Sequence, residues 1–368
     1  MSFEHDLEAR LRALANLGLH RAPDPAKEGL LDFASNDYLG IGARRRAVTA
    51  TGSARASRLV RGDSPEVRAL ESRVAEWLGT GSALVFASGY AANVGVISAL
   101  AEKGDLIVSD ALNHASIIDG CRLSGAAIHV APHLCVLAAR ETLLAHRATG
   151  RGRRWIVTES YFGMDADRPD LASLRVLADE CDAGLLVDEA HAFGARGPQG
   201  RGELAAAGVR ADAVVGTFGK ALGGGGAFVA GSALLIEWLW NRARSFVFST
   251  GMSPVLALAT RAAFEEALAG DALRQLLEAT TTALRQGLMS LGRGELSAPL
   301  GEGAVIPIAV RDVETAVAIQ LKAREVGLHV QAIRPPTASP RLRLSAHASL
   351  RYEDVSRLLS FLKAERFT

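Results

Sequence analysis

The chain has 368 residues, of which 49% are apolar and 22% charged, so it can bury a sizeable core and does not have the composition of a disordered protein. Lysine and arginine (41) almost balance aspartate and glutamate (40), which argues against a protein built mainly to bind nucleic acid or an anionic membrane. The expected partners are therefore small molecules and other protein chains. Cys121, Cys135 and Cys181 are too few and too scattered for a disulfide framework or a metal cage, and no metal site is predicted.

The first twenty-one residues lack the apolar core of a signal peptide and instead predict an amphipathic helix. Leu7, Leu11, Leu14 and Leu17 recur at helical spacing, and we expect this stripe to pack on the body of the protein. No uninterrupted apolar run in the sequence approaches the length of a membrane span. With so few cysteines, these features predict a cytoplasmic location.

Short apolar runs alternate with helical patterns along the first two thirds of the chain. The predicted strands are 83–88, 105–110, 126–131, 154–160, 184–190, 212–218 and 226–231, and the predicted helices between them include 64–78, 90–102, 136–148 and 170–182. This alternation is typical of an α/β fold with a mostly parallel, doubly wound sheet of seven strands.

After residue 246 the pattern changes to that of a smaller C-terminal α+β domain. A long helical stretch at 253–292 precedes predicted strands at 305–310, 329–333 and 341–346 and helices at 313–326 and 352–364. The sequence therefore predicts three parts: an N-terminal helix and arm (1–45), a large domain (46–245) and a small C-terminal domain (246–368).

Polar residues stand at the carboxyl ends of several predicted strands, where open α/β sheets bind their ligands. The turn 88–90 opens a helix whose N-terminus favours a phosphate, although such a turn on its own is more often only a helix cap. Glu159 ends one strand, and Asp188 and His191 follow another. The segment VDEAH also resembles a helicase box, but the upstream phosphate loop of a nucleotide-driven motor is absent.

Lys220 ends an apolar run and is followed at once by glycines 223–226. In isolation this window fits a strand that ends at the surface with a solvated lysine and a flexible turn. Alternatively, Asp188, His191 and Lys220 converge at neighbouring strand ends beside a phosphate site. This is the set that pyridoxal 5'-phosphate (PLP) requires, because lysine forms a Schiff base, a carboxylate pairs with the pyridinium nitrogen and a helix N-terminus holds the phosphate.

Three further features of the large domain fit the same cofactor. Thr217 can offer its hydroxyl to the phosphate, and the glycine run lets the chain pass close beneath the cofactor ring. His114 follows a strand and can stack on the ring, although a lone histidine is more often structural. The large domain is accordingly predicted to bind PLP.

An ordered set of motifs resembles the α-oxoamine synthases, PLP enzymes of the aminotransferase-like fold type I, from about Leu17 to the C-terminus. These motifs are SNDYLG (35–40), SGYAAN (88–93), LNHAS (112–116), TESYFGMDAD (158–167), LLVDEAHAFG (185–194), GRG (200–202), TFGK (217–220), FST (248–250) and AIRPPT (332–337). The resemblance implies decarboxylative condensation of L-alanine with a pimeloyl thioester, carried on CoA or acyl carrier protein, in biotin biosynthesis. Sister reactions that use glycine with acetyl-CoA, or serine with a long acyl thioester, stay open, as does a catalytically silent partner subunit.

The resemblance also implies roles for individual residues. Lys220 would form the Schiff base, Asp188 would pair with the ring nitrogen, and the other cofactor contacts would be Gly89, Tyr90, His114, Glu159, His191 and Thr217. The substrate contacts would be Arg21, Asn36, His114, Thr337 and Arg343, with Arg343 gripping the amino-acid carboxylate. Thr250 would reach the phosphate bound in a second copy of the chain, so a homodimer with shared active sites is implied.

Four features depart from the family pattern and bear on the fine geometry of the substrate site; one is a short loop after Thr337. Gly163 stands where the family usually has serine, so one contact to the cofactor hydroxyl is missing or is made by another residue. Val67 replaces a common histidine, and residues 52–58 are bulkier than the usual glycine-rich segment.

Overall fold

The computed structural model describes residues 3–18, 29–44, 46–148, 152–291, 300–335 and 337–364. The chain divides into two compact units. The sheet unit comprises residues 39–162 and 167–274, and the terminal unit comprises residues 1–38, 163–166 and 275–368.

The described residues contain twelve strands and thirteen α-helices. The strands are β1 (Leu31–Asp32), β2 (Ser82–Phe86), β3 (Leu106–Asp110), β4 (Ala127–Ala131), β5 (Arg154–Glu159), β6 (Ala183–Asp188), β7 (Ala213–Thr217), β8 (Ala227–Gly231), β9 (Val305–Ala309), β10 (Leu328–His329), β11 (Gln331–Ile333) and β12 (Arg341–Ser345). The helices are α1 (Phe3–Asn16), α2 (Pro65–Leu78), α3 (Gly89–Leu100), α4 (Ala115–Ser124), α5 (Val136–Arg147), α6 (Leu171–Glu180), α7 (Gly202–Ala207), α8 (Ala233–Arg242), α9 (Arg244–Val247), α10 (Pro254–Leu268), α11 (Asp271–Ser290), α12 (Val313–Glu325) and α13 (Tyr352–Ala364). A short π-helix, Arg58–Gly62, precedes α2.

The sheet unit is built on a seven-stranded sheet in the order β2-β8-β7-β6-β5-β3-β4. Strands β3 to β7 are parallel to one another, whereas β8 runs antiparallel to both β2 and β7. The predicted mostly parallel α/β sheet is therefore confirmed, with all seven strands. The parallel strands end at one edge of the sheet, and this edge carries the candidate site.

Apolar residues on the central strands form the core of the sheet unit. Leu84, Ile107, Val157, Leu186 and Val215 are almost completely buried in one cluster, together with residues of α3 and α8. Strands β5 to β8 are buried along nearly their whole length, as expected for strands covered on both faces.

Helix α3 follows the predicted phosphate-binding turn and begins after a serine N-cap. Ser88 has extended backbone angles, and its hydroxyl accepts a hydrogen bond from the Ala91 N–H at 3.1 Å. The cap fixes where the helix begins, so its first N–H groups lie at the end of β2.

The division between the two units differs from the predicted boundary at residue 245/246, because the sheet unit extends to Arg274. Helix α10 packs on α2 within that unit. The rings of Trp77 and Phe264 are 5.2 Å apart, and the Arg73 guanidinium pairs with the Glu265 carboxylate at 2.8 Å. These contacts retain α10 in the sheet unit.

The terminal unit contains a three-stranded antiparallel sheet, β11-β12-β9, and a parallel pair of short strands, β1 and β10. The single strand predicted at 329–333 is divided at Val330, and β1 was not predicted. The unit thus has the α+β character expected of the C-terminal part.

Helix α1 forms as predicted, but the expected packing of its leucine stripe is wrong. Leu11, Leu14 and Leu17 are 50%, 41% and 66% exposed. A stripe one leucine wide, with charged residues on either side, offers little apolar area to bury. No helix in the described part of the chain is long and apolar enough to cross a membrane.

Candidate active site

The carboxyl ends of β5, β6 and β7 bring together polar residues that the sequence had singled out. In the sheet register Glu159 lies beside Asp188, and Asp188 lies beside Val215, two residues before Thr217. These residues all belong to the sheet unit.

Asp188 is buried, at 6% exposure, and is held by two neutral donors. Its Oδ2 accepts from Asn93 Nδ2 at 2.7 Å, and its Oδ1 accepts from the Ala190 N–H at 2.8 Å. A buried carboxylate is costly unless it is hydrogen-bonded and paired with a cation. A ligand that presents a protonated ring nitrogen would provide that pairing.

His114 caps α4 and lies within the electrostatic range of both Asp188 and Lys220. Its backbone N–H donates to Glu159 Oε1 at 2.7 Å, which ties it to the end of β5. Desolvation lowers the pKa of the imidazole; the Asp188 charge opposes this effect and the Lys220 charge adds to it. The ring therefore favours the neutral form, and His114, Asp188 and Lys220 are close enough for their charges to interact.

Gly89 and Thr217, the two candidates for phosphate binding, are neighbours. A Cβ placed on Gly89 would lie 3.9 Å from Thr217 Cβ. The Thr217 hydroxyl donates to the Gly226 carbonyl at 3.1 Å and accepts from the Gly219 N–H at 3.2 Å. The start of α3, where the helix N-terminus favours an anion, thus adjoins the end of β7, where Thr217 donates its hydroxyl proton to Gly226.

Tyr90 lies on the open side of this region. Its side chain is 49% exposed, and its hydroxyl donates to Asp119 Oδ2 at 2.5 Å. That hydrogen bond is the main reason why the pKa of the phenol is raised. The ring is consequently held at the surface above the start of α3.

Lys220 is partly buried, and the glycines after it are required by the protein's own packing. Gly223 and Gly226 have φ values of +68° and +82°. A Cβ at Gly223 would lie 2.6 Å from Ile41 Cγ2, and one at Gly226 would lie 2.4 Å from Met252 Cε. Both positions therefore exclude a side chain through strain and through contact.

His191 is carried by a turn that a buried carboxylate anchors. Glu189 is fully buried and accepts from the Ser160 hydroxyl at 2.7 Å, the Leu204 N–H at 2.7 Å and the Glu203 N–H at 3.0 Å. Burial raises the pKa of Glu189 to about 7. The sequence offered no role for this residue; the structure shows that it connects the turn after β6 to α7.

Two of the predicted substrate residues meet in the terminal unit. Arg343 is 3% exposed, and it donates to the Gly163 carbonyl at 2.7 Å, to Asn36 Oδ1 at 2.8 Å and to Ser345 Oγ at 3.1 Å. All three partners are neutral, so the guanidinium keeps its affinity for an anion. Gly163, where the family usually has serine, contributes its backbone carbonyl to this arrangement.

The remaining predicted residues have less defined surroundings. Thr337 is exposed, and its N–H donates to the Arg334 carbonyl at 3.2 Å. Thr250 is exposed and forms an isolated β-bridge with Ser57. Arg21 lies outside the described residues.

Asn93 and Ser116 are site residues that the sequence did not single out. Asn93 Nδ2 donates both to Asp188 and, at 3.0 Å, to Ser116 Oγ, and Ser116 Oγ lies 2.7 Å from His114 Nδ1. The available signal was Asn93 itself, the one amide side chain in the mostly apolar helix GYAANVGVISAL.

Comparisons with known proteins agree with this fold. The family model described as "Aminotransferase class I and II" matches residues 28–362. The chain therefore belongs to the aminotransferase class I and II family. Among curated relatives, an 8-amino-7-oxononanoate synthase of Geobacter metallireducens is 41% identical, with 97% of this chain and 94% of the relative covered. One from Marinobacter nauticus is 42% identical over 92% of this chain and 87% of that protein.

Solved structures extend the comparison. The serine palmitoyltransferase of Sphingomonas wittichii matches with a TM-score of 0.88 and 30% identity, covering 98% of this chain and 96% of that one. The 8-amino-7-oxononanoate synthase of Francisella tularensis matches with a TM-score of 0.76 and 25% identity, covering 92% and 98%. These matches confirm the predicted fold and the resemblance found in the motifs.

Proposed function

We propose that the protein condenses L-alanine with a pimeloyl thioester, giving 8-amino-7-oxononanoate, CO2 and the free thiol of CoA or acyl carrier protein, a step of biotin biosynthesis. The observation that carries the proposal is the cluster of His114, Asp188 and Lys220 at one sheet edge in a chain about 41% identical to 8-amino-7-oxononanoate synthases along nearly its whole length. These relatives supply the choice of substrates.

The residues present fit PLP as the cofactor. Asp188 offers a buried, neutrally bonded carboxylate to the ring nitrogen, and Gly89 and Thr217 adjoin at an anion-favouring helix start. A solved structure of serine palmitoyltransferase (SPT), which matches this chain with a TM-score of 0.86 and 28% identity, contains PLP. When bound, PLP supplies an electron sink for the negative charge that develops at the amino-acid α-carbon.

In this proposal Lys220 would hold the cofactor covalently, and its amine would act as the general base that takes the α-proton of alanine. Asp188 keeps the ring nitrogen protonated through its negative charge. His114, which is neutral because its pKa is lowered, would stack on the ring and orient the substrate through a hydrogen bond. His191 would contact the phenolic oxygen of the cofactor, and Glu159 holds the His114 backbone at the end of β5.

We assign the amino-acid carboxylate to Arg343, because its guanidinium is buried among neutral partners. Asn36, which accepts from Arg343, keeps the guanidinium plane in place. Thr337 and Arg21 are assigned to the substrate on the family resemblance alone.

We further propose that the active form is a homodimer with shared sites. Thr250, assigned to the cofactor phosphate of the second copy, is exposed. Leu59, Val60 and Phe248, at 54%, 77% and 72% exposure, flank the Ser57–Thr250 bridge. Such apolar exposure suits an interface between copies. The three cysteines are free, which agrees with a reducing cytoplasm.

The test of the reaction is a steady-state panel of alanine, glycine and serine against pimeloyl, acetyl and palmitoyl thioesters. We expect alanine with pimeloyl thioester to give the highest kcat/KM. Because one methyl group changes binding by about 1–3 kcal/mol, some turnover of glycine is compatible with the proposal. A higher kcat/KM for glycine with acetyl-CoA would replace it with the sister reaction. The likeness to serine palmitoyltransferases is the reason for including serine with a long acyl chain.

The cofactor assignment has its own test. Borohydride reduction of the purified protein should fix PLP to the peptide that contains Lys220, as read by mass spectrometry. The Lys220→Ala variant should lose both the label and turnover. A label on another lysine would refute the role of Lys220. A protein that binds no PLP would favour the alternative of a catalytically silent partner subunit.

A further inference from the structure

A continuous chain of side-chain contacts joins His114 to Asp188. His114 Nδ1 lies 2.7 Å from Ser116 Oγ, Ser116 Oγ lies 3.0 Å from Asn93 Nδ2, and Asn93 Nδ2 lies 2.7 Å from Asp188 Oδ2. Asn93 and Ser116 are 1% and 0% exposed. A single amide group thus contacts, directly or through one hydroxyl, two residues with separate roles in the proposed reaction.

The direction of each hydrogen bond follows from the chemistry of the groups. The Asp188 carboxylate can only accept, so Asn93 turns its NH₂ group toward it; the opposite orientation would oppose two acceptor oxygens. The second N–H of the same group then donates to Ser116 Oγ. The Ser116 hydroxyl proton is left to point at His114 Nδ1.

A second donor faces the same ring nitrogen. The backbone N–H of Ser116 donates to His114 Nδ1 at 3.2 Å. Two donors directed at Nδ1 require that it carries a lone pair, so the proton of the neutral ring lies on Nε2.

Asn93 makes these contacts at the expense of its own carbonyl. Its Oδ1 is buried and has no hydrogen-bond partner among the described residues. A buried acceptor without a partner lowers stability, so such a group in a folded protein calls for a functional reason. Both N–H groups of this amide serve the site.

We propose that Asn93 is a positioning residue that holds Asp188 and, through Ser116, fixes His114 in one orientation with its proton on Nε2. The orientation of Asp188 and His114 follows from the hydrogen bonds alone. Only the reaction that this orientation would serve rests on the proposed function. Asn93 orients the two groups and touches no reacting atom.

The test combines NMR of the protein labelled with ¹⁵N-histidine with steady-state kinetics. Two-bond ¹H–¹⁵N spectra report which ring nitrogen carries the proton, and the His114 signals are identified by their loss in His114→Gln. We expect wild-type His114 to show a bare Nδ1 and a protonated Nε2, both without and with PLP. In Asn93→Leu, which keeps the branching and the number of heavy atoms and removes the amide, we expect mixed ring states and a loss in kcat of about tenfold or more, with KM for the amino acid nearly unchanged.

Ser98→Ala is the matched control, because Ser98 lies on the same helix and its hydroxyl donates to the Val94 carbonyl at 2.6 Å. It should leave both readouts unchanged. If Asn93→Leu does not fold, Ser116→Ala removes only the hydroxyl link and should also mix the ring states and lower kcat.

A wild-type ring with its proton on Nδ1 would overturn the proposal. So would wild-type ring states and kcat in a folded Asn93→Leu variant, or in Ser116→Ala where it stands in. A wild-type protein inactive toward alanine and pimeloyl thioester would refute the proposed function instead, and the NMR reading of His114 would still decide the present inference.

Discussion

The Asp188 carboxylate is held in place by hydrogen-bond donors from neighbouring residues. It ends β6 where sequence patterning expected a buried carboxylate, and its identity could be read from the motif LLVDEAHAFG. The donors that fix it could not be read in this way, because Asn93 lies ninety-five residues earlier in the chain and meets Asp188 only when α3 packs beside the sheet. Individual candidate residues were therefore predictable from local sequence, whereas their supporting contacts depend on tertiary structure.

The Asp188→Asn substitution is expected to keep the fold and the hydrogen bond from the Ala190 N–H, and to lower kcat by orders of magnitude. The amide is neutral, so it cannot hold a ring nitrogen in its protonated form. Circular dichroism and the amount of PLP bound per chain should match those of the wild type while turnover falls. Near-normal turnover in a cofactor-loaded variant would remove Asp188 from this role.

Glu189 gives a prediction for the dependence of stability on pH. Its ordinary pKa of 4.5 is raised to about 7 by burial, so the folded protein binds a proton that the unfolded chain releases across this range. This contribution to stability is greatest below pH 4.5 and declines as pH rises toward 7. The free energy of unfolding in urea, measured at pH 5, 6, 7 and 8, should decline more in the wild type than in Glu189→Gln.

An exposed glutamate provides the control for that measurement. Glu237→Gln, on the surface of α8, should leave the wild-type pH profile unchanged. Identical profiles for the wild type and Glu189→Gln would show that the Glu189 carboxyl does not titrate in this range.

At the scale of elements, periodicity located the seven sheet strands because each is short, apolar and bounded by turn residues. It missed α8, since ALLIEWLWNR lacks a clear polar face and directly follows a strand. The helical stretch predicted at 253–292 is two helices, which separate where Gly270 follows α10. Short β1 also escaped prediction, because it exists only through its pairing with β10.

The π-helix Arg58–Gly62 is fixed to α2 by a buried ion pair. Arg58 donates to Glu71 Oε1 at 2.8 Å and Oε2 at 3.0 Å and lies 4.9 Å from the Trp240 ring centroid. Arg58→Met leaves the Glu71 carboxylate buried without its cation, which should reduce the free energy of unfolding by about 3–5 kcal/mol. Urea denaturation measures this loss.

The double variant Arg58→Met/Glu71→Gln separates charge from packing. Its neutral amide keeps an acceptor for the Val85 N–H, which donates to Glu71 Oε1 at 2.8 Å. We expect it to regain a substantial part of the lost stability. A single variant as stable as the wild type would show that the pair contributes little.

At the scale of the whole molecule, the proposed dimer can be tested with a substitution that disrupts its interface. The wild type should sediment at twice the chain mass of 38.7 kDa, and Val60→Asp should shift it toward the monomer, because a charge would be buried at the interface. Leu137→Asp, at a residue 64% exposed on α5, is the control and should remain dimeric. A monomeric wild type, or a dimeric Val60→Asp protein, would contradict the proposed interface.

The glycines that follow Lys220 limit how the protein can be re-engineered. Gly223 and Gly226 adopt positive φ angles where a methyl group would contact Ile41 and Met252. Randomising this loop to alter substrate preference would therefore return glycine at both positions under any selection that demands a folded enzyme. New specificity has to be sought at positions where the backbone conformation and the packing accept more than one side chain. Gly223 and Gly226, which follow Lys220, should stay unchanged in such a selection.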